Sequence, residues 1–123
     1  MSAALSFVAP PPGFFPHTDF ELAPVDGSEG LFALRAIADE AVRVFLLDPN
    51  TVLDDYAPII SDEQVELIQL KTADDAWVLV VANPSEEGVS VNLKAPVVVN
   101  TATGRSAQMI LEDQDFPLRA PLV

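Results

Sequence analysis

Four pairs of adjacent acidic residues are the side chains best suited to chemistry in this sequence. They are Asp54-Asp55, Asp74-Asp75, Glu86-Glu87 and Glu112-Asp113. Paired carboxylates can cleave glycosides or bind Mg²⁺ or Ca²⁺, but only where they converge in space. Neighbouring residues on a strand point to opposite faces, and all four pairs fall in predicted turns, where solvated acids are common. We therefore expect a solvated acidic surface, and a carboxylate-based metal protein is the less favoured alternative.

The other candidates for catalysis do not form a group. His17 is the only histidine and stands beside Pro16, and the chain has no cysteine, so no nucleophile has a recognisable base. No glycine-rich phosphate-binding pattern occurs, and six scattered basic residues are too few for a nucleic-acid-binding stripe. We predict that the protein is not an enzyme and has no catalytic residue, metal site, cofactor or direct contact with nucleic acid.

Charge is the most unusual property of the composition. Nineteen acidic residues against six basic ones give a formal net charge of −13. Such a field repels nucleic acid and anionic membranes and speeds encounters with basic partners. Two explanations stay open, namely a basic protein partner and a solvated acidic surface, such as that of a protein from a salt-adapted host.

Length and composition favour a single β-rich domain over residues 1–123. Half of the residues are hydrophobic, which is enough for a core, and eleven prolines favour a loop-rich β fold over a helical one. Residues 1–9 contain no basic residue, so we expect no targeting segment and a cytoplasmic protein. The later apolar run, residues 76–82, is far shorter than the roughly 20 residues of a membrane span.

Turn signals divide the chain into short strands. Asp26-Gly27 and Gly104 suit hairpin turns, and Asn83-Pro84 is expected to end a strand because proline cannot continue a ladder. The predicted strands cover residues 20–22, 31–37, 42–47, 76–82, 89–93, 97–100 and 107–111. Residues 76–82 are apolar throughout, which predicts burial on both faces, with Trp77 in the core.

One helix is predicted, over residues 61–70. Ser61 and Gln64 have the spacing of a capping box, and Asp62 and Glu63 fall in the first turn, where the helix dipole favours anions. With the strands, this helix predicts an all-β fold with one short helix, built as a small antiparallel, strongly bent sheet or a barrel-like fold.

Residues 92–100 interrupt a strongly apolar run with polar side chains. Asn92, Lys94 and Asn100 are polar or charged, and Pro96 splits the run, so we expect a bend or bulge near Ala95-Pro96. Two explanations are open for the polar residues. The asparagines could cap turns while Lys94 protects a sheet edge, or the stretch could be an exposed strand edge offered to another chain.

This stretch also closely resembles a signature of the FliW family of flagellar assembly factors, and residues 91–100 read VNLKAPVVVN. Further pieces resemble the family in the same order along the chain. They are Pro12-Gly13-Phe14, Asp48-Pro49, Asp55-Tyr56, Ser61-Asp62-Glu63, residues 108–113 and Pro117-Leu118-Arg119. The resemblance therefore spans residues 12–122.

Three departures from the family pattern stand at the two ends of the chain. The leading segment, residues 5–11, is shorter than is usual in the family, which predicts a short or missing first strand. Phe116 stands where the family often has tyrosine, and Ala120 stands where it usually has histidine. The central signature is unaffected by these departures.

What the resemblance implies is regulatory binding. FliW-like proteins bind flagellin and, alternatively, the RNA-binding translational repressor CsrA, and freed FliW relieves the repression of flagellin translation. An acid-rich protein suits such a basic partner. A chaperone or structural protein that binds only flagellin is the alternative. The resemblance predicts no membrane contact and a monomer when free.

We expect partner contacts from the signature and from the acidic segment 54–75, in which Lys71 is the only base. The residues predicted to bind partners are Asn92, Lys94, Pro96, Val98, Asn100, Asp55, Tyr56, Glu63 and Glu66.

Overall fold

The computed structural model describes residues 3–10, 14–27, 29–51, 56, 58–86, 88–111, 114–117 and 119–121. Within these residues, eight strands and one α-helix occur in the order four strands, helix, four strands. The first four strands are β1 (Ala3–Phe7), β2 (Asp19–Pro24), β3 (Leu31–Ala36) and β4 (Arg43–Leu47). After helix α1 (Asp62–Leu67) come β5 (Ala76–Ser85), β6 (Gly88–Asn100), β7 (Arg105–Gln108) and β8 (Ala120–Pro121).

The first seven strands close into a barrel, which confirms the predicted all-β, barrel-like fold with one short helix. The order around the barrel is β5-β4-β3-β2-β1-β7-β6, and β6 pairs with β5 to close it. Every pair is antiparallel except β1 with β7, which is parallel. No tight turn joins these two strands, so their relative direction is not constrained as it is in a hairpin. The short β8 pairs with the outer part of β6 at Ser90 and Val91.

Period-two alternation fills the barrel with apolar side chains. Buried residues from β1 to β6 make one interior cluster, and an edge-to-face contact joins the rings of Phe7 and Phe20, whose centroids are 5.3 Å apart. The buried members are Leu5, Phe7, Phe20, Leu22, Leu34, Ala36, Leu46, Leu79, Val97 and Val99. Trp77 packs against this cluster, as predicted, and its ring stands edge to face with that of Phe32.

Two further apolar clusters lie on the outside of the barrel over β5 and β6. One contains Val80, Val91 and Leu93, with Tyr56 and Phe116 packed against it. The other contains Val98, Ala107, Met109 and, from the end of the helical segment, Ile68. The apolar run predicts burial on both faces for β5. The structure shows that much of β6 is also buried on both faces.

A bulge in β6 bends the strand where Ala95-Pro96 predicts it. In β5, Leu79 pairs with Val97 of β6 and Val81 pairs with Asn92. One residue of β5, Val80, therefore lies opposite four residues of β6, residues 93–96. A proline cannot donate to a ladder, and a bulge is one of the few places where a strand accepts it. The bulge divides β6 into two halves that contact different outer elements.

Several elements differ in extent from the sequence-based prediction. β5 runs on through Asn83-Pro84 to a hairpin at Glu86, because its pairing with β4 ends at Ala82 and a proline is tolerated beyond that edge. α1 stops at Leu67, because Gln69 takes a left-handed conformation, with φ of 57°. The shortened N-terminal segment does form a strand, β1, which pairs with both β2 and β7.

Two predictions concern the organisation of the chain. Within the described ranges, no helix is long and apolar enough to cross a membrane. The assignment of residues 1–123 to a single domain stays a prediction.

Candidate protein-binding surface

Asn92 shapes the bulge of β6 through its side chain. Its Oδ1 accepts hydrogen bonds from the backbone N–H groups of Lys94, at 3.0 Å, and Ala95, at 3.1 Å. These two groups have no ladder partner in the bulge, and the amide oxygen supplies one. The local role of Asn92 is therefore to hold the bend that precedes Pro96.

Asn100 joins the far end of β6 to the end of α1. Its Nδ2 donates to the carbonyl oxygens of Ile68, at 3.0 Å, and Gln69, at 3.2 Å, while its Oδ1 accepts from the N–H of Ala102. The residue is only 2% exposed. Carbonyls at a helix C-terminus lack partners within the helix, and a buried amide is suited to satisfy them. Asn100 thus fixes where α1 ends on the barrel.

The start of α1 is held by the predicted capping box. The Ser61 hydroxyl accepts from the N–H of Gln64, and the Gln64 side chain accepts from the N–H of Ser61. Glu63 and Glu66 are both exposed on this helix, and Asp62 precedes them at the surface. α1 therefore presents three acidic side chains to solvent from a helix fixed at both ends.

The segment after β7 runs along the bulge and covers its backbone. Met109 N–H donates to the Pro96 carbonyl, and Leu111 N–H donates to the Lys94 carbonyl, each at 2.8 Å. Nearer the start of β6, Leu93 N–H donates to the Pro117 carbonyl. The edge of β6 is thus occupied here, and the alternative of an exposed strand edge offered to another chain is wrong for this stretch.

A groove opens between the start of α1 and this covering segment. Its volume is about 470 Å³, and its lining residues are Ile59, Ser61, Glu63, Gln64, Ile110, Leu111 and Gln114. Gln114 holds one wall, because its side-chain amide accepts from the Ile59 N–H at 2.7 Å and donates to the Ile59 carbonyl at 2.9 Å. No sequence pattern predicts this double hydrogen bond, because its two partners are 55 residues apart along the chain.

Tyr56 anchors the other outer cluster to the bulge. Its hydroxyl donates to the Leu93 carbonyl at 2.6 Å, and its ring stands edge to face with that of Phe116, with centroids 5.0 Å apart. Burial raises the pKa of Tyr56 to about 12, because the phenolate would be poorly solvated there. The phenol therefore stays protonated at neutral pH and keeps its hydrogen bond.

The structure groups most of the predicted partner-binding residues around β6 and α1, but it gives several of them internal contacts. Asn92 and Lys94 are half-buried, and Pro96, Val98 and Asn100 are buried. Glu63 and Glu66 are exposed, Tyr56 is half-buried, and Asp55 lies outside the described residues. Their contact with a partner stays a prediction.

The metal alternative finds no support in the described part of the chain. No three His, Cys, Asp or Glu residues lie close enough there to hold a metal ion. Asp54, Asp55, Glu87, Glu112 and Asp113 belong to the predicted acidic pairs and fall outside the described residues.

Comparison with known sequences finds a family match along nearly the whole chain. The family model described as FliW protein matches residues 1–122. A protein of Clostridium kluyveri named flagellar assembly factor FliW is 27% identical over 113 residues, which cover 90% of this chain and 78% of that protein. Proteins of the same name from Clostridioides difficile and Syntrophus aciditrophicus are 23% and 27% identical, and cover 90% and 87% of this chain. The matches cover 87% and 69% of those two proteins.

A solved structure shows the same fold. The crystal structure of a flagellar assembly factor FliW superposes with a TM-score of 0.89 and 21% sequence identity, covering 97% of this chain and 84% of that one. The fold of this chain is therefore one already known from experiment.

Proposed function

Because this chain belongs to the FliW family, we propose that it is a non-enzymatic regulator of flagellar assembly that binds a CsrA-like RNA-binding repressor and flagellin in alternation. In this scheme, binding of the repressor relieves its action on flagellin translation, and flagellin competes for the regulator. The observation that carries the proposal is the family match over residues 1–122. The site of action is the cytoplasm, where both partners are made, and no cofactor takes part.

Charge supports the choice of a basic partner. The chain carries a net charge of −13, and α1 presents Asp62, Glu63 and Glu66 to solvent. RNA-binding proteins carry basic surfaces, so long-range attraction speeds their encounter with this protein. The same field opposes RNA held nearby.

The signature residues support the proposal through their effect on shape. Asn100 fixes the end of α1, and Asn92 shapes the bulge along which the segment after β7 is bound. Replacing them is expected to weaken partner binding more than replacing single exposed acids, because the surface they position would shift as a unit.

A mixing experiment tests the partner switch. The purified protein is added to the repressor bound to its flagellin leader RNA, and flagellin is added last. We expect RNA to be released on the first addition and rebound on the second. Absence of binding to either partner at low salt would overturn the proposal. Binding to flagellin alone would replace it with a flagellin-specific chaperone.

Salt dependence separates charge steering from the rest of the interaction. We expect the affinity for the repressor to fall as ionic strength rises, because screening shortens the reach of the acidic field to about 8 Å at physiological salt. Titration calorimetry at several salt concentrations measures it. An affinity that does not change with salt would remove charge from the account and leave the partner assignment standing.

A further inference from the structure

The groove beside α1 combines features that a solvated surface does not need. Ile59 is 72% exposed and Ile110 is 55% exposed, and both line it. Leu111, which is buried, also lines it. Single exposed apolar residues are ordinary, whereas two large ones that line one groove among polar side chains give an apolar contact with a polar rim, as protein-binding sites have.

The walls of the groove are fixed before any partner arrives. Gln114 holds the backbone of Ile59 by two hydrogen bonds, and the capping box holds Ser61 and Gln64. On the opposite wall, Leu111 N–H is bound to the Lys94 carbonyl in the bulge. A preformed site loses little conformational entropy on binding, so more of the contact energy appears as affinity.

The negative charge beside the groove favours an occupant that carries positive charge. Glu63 lines it, and Asp62 and Glu66 are exposed on the same helix. No lysine, arginine or histidine is found among its described lining residues. An apolar segment that carries basic residues beside it would bury its apolar part and place its cations against these carboxylates.

We propose that this groove is the docking site for the RNA-binding repressor, and that it takes an apolar segment of that protein flanked by lysine or arginine. This assignment rests on the proposed function, because it takes the basic partner of that function as the occupant. Glu63 pairs with a flanking cation, and the side chains of Ile59 and Ile110 cover the apolar part of the segment.

Substitution of the two isoleucines tests the apolar contact. Ile110→Ser and Ile59→Ser are each expected to weaken binding of the purified repressor by about tenfold or more, as for residues at the centre of an interface. The matched control is Ile37→Ser, because Ile37 is 61% exposed in the turn after β3 and does not line this groove. The affinity of the Ile37→Ser variant for the repressor should stay within about twofold of the affinity of the unchanged protein.

Neutralising Glu63 tests the charged contact. Glu63→Gln is expected to reduce affinity several-fold at low salt and to make its dependence on salt shallower, because one fixed charge is removed from the interface. Glu40→Gln is the control, since Glu40 is exposed after β3, away from the groove. Equal effects of the two changes would show that net charge alone acts.

The outcomes separate this assignment from the proposed function. If the unchanged protein binds neither partner, the proposed function fails first. If it binds the repressor and both isoleucine variants, folded by circular dichroism, bind equally well, the groove assignment is overturned and the function stands. Loss of repressor binding in either folded variant, with or without loss of flagellin binding, supports it, whereas loss of flagellin binding alone overturns it.

Discussion

At the scale of single residues, Asn100 shows how a polar side chain in an apolar strand stabilises the fold. It is buried, and its amide satisfies two carbonyls at the end of α1 and one N–H in the next turn. Polarity alone would place Asn100 at the surface of the protein. The two carbonyls that hold it inside belong to residues more than thirty positions away in sequence, so a local pattern does not reveal them.

Replacing Asn100 is expected to cost stability. Asn100→Ala removes these hydrogen bonds and leaves buried carbonyls without partners, which should lower the free energy of unfolding by about 2 kcal/mol. Asn83→Ala, at an exposed position of β5, should change it by less than about 0.5 kcal/mol. Urea unfolding followed by circular dichroism measures both, and equal effects would contradict the structural role of Asn100.

Tyr56 predicts a loss of stability at alkaline pH. Its pKa rises from 10.0 to about 12 in the folded protein, so between those values the unfolded chain releases the proton while the folded chain holds it. The contribution of Tyr56 to the free energy of unfolding is complete below pH 10 and is lost as the pH rises towards 12. As Tyr56 is the only tyrosine, tyrosinate absorbance reports its titration directly.

Tyr56→Phe is the control for the alkaline transition. It removes the titrating hydroxyl and its bond to Leu93 but keeps the ring against Phe116. The variant should lose stability less steeply above pH 10 than the unchanged protein. An identical slope would show that the alkaline loss does not come from Tyr56.

At the scale of elements, local chemistry was predictable and boundaries were less so. The capping box at Ser61 and the bulge near Pro96 follow from short-range rules, and the structure has both. The end of α1 does not follow from such rules, because it depends on Gln69 adopting a left-handed conformation beside Asn100. β5 extends past Pro84 because the neighbouring strand stops earlier, which only the assembled barrel reveals.

The groove was beyond sequence-based prediction for the same reason. Ile59 and Gln114 lie 55 residues apart along the chain, Ile110 is close to Gln114, and no spacing pattern links the two segments. The acidic residues of α1 were predicted as a candidate face, and the structure adds that Glu63 lines a groove together with Ile59 and Ile110. Long-range packing therefore supplied the part of the site that local patterns do not encode.

The capping box gives an element-scale prediction. Ser61→Ala leaves the Gln64 N–H without its side-chain acceptor and should destabilise the helical segment by about 1 kcal/mol. Ser61→Asp, which keeps an acceptor at the cap and adds a favourable charge, should restore most of the loss. Hydrogen exchange of the α1 amides measures the local effect, and unchanged exchange in the alanine variant would contradict it.

At the scale of the whole molecule, the seam between β1 and β7 is the weakest point of barrel closure, since only two residue pairs join these strands. Gly104 borders it, with φ of +83°, and its carbonyl accepts from the Ser6 N–H. A Cβ built on Gly104 would stand 2.7 Å from the Ala4 carbonyl oxygen. The hairpin turn and the seam both require glycine at this position.

Gly104→Ala is therefore expected to open the seam. Strain from positive φ and the clash with β1 together should lower the free energy of unfolding by about 2–3 kcal/mol. Gly27→Ala separates the two causes, because Gly27 has φ of +81° but nothing within 4 Å of the added Cβ. It should cost about 1 kcal/mol. Thermal melting compares them, and equal losses would show that the approach of Ala4 carries no cost.

Closure of the barrel has a kinetic consequence for the proposed exchange of partners. Each of the seven barrel strands has a neighbour on both sides, so none offers a full row of backbone groups to which another chain could bind. At the barrel, partners must then be held through side chains, because a strand of another chain cannot pair with these strands. The lifetime of each complex can be adjusted one residue at a time, and one partner can leave without any strand of the regulator being torn from its sheet.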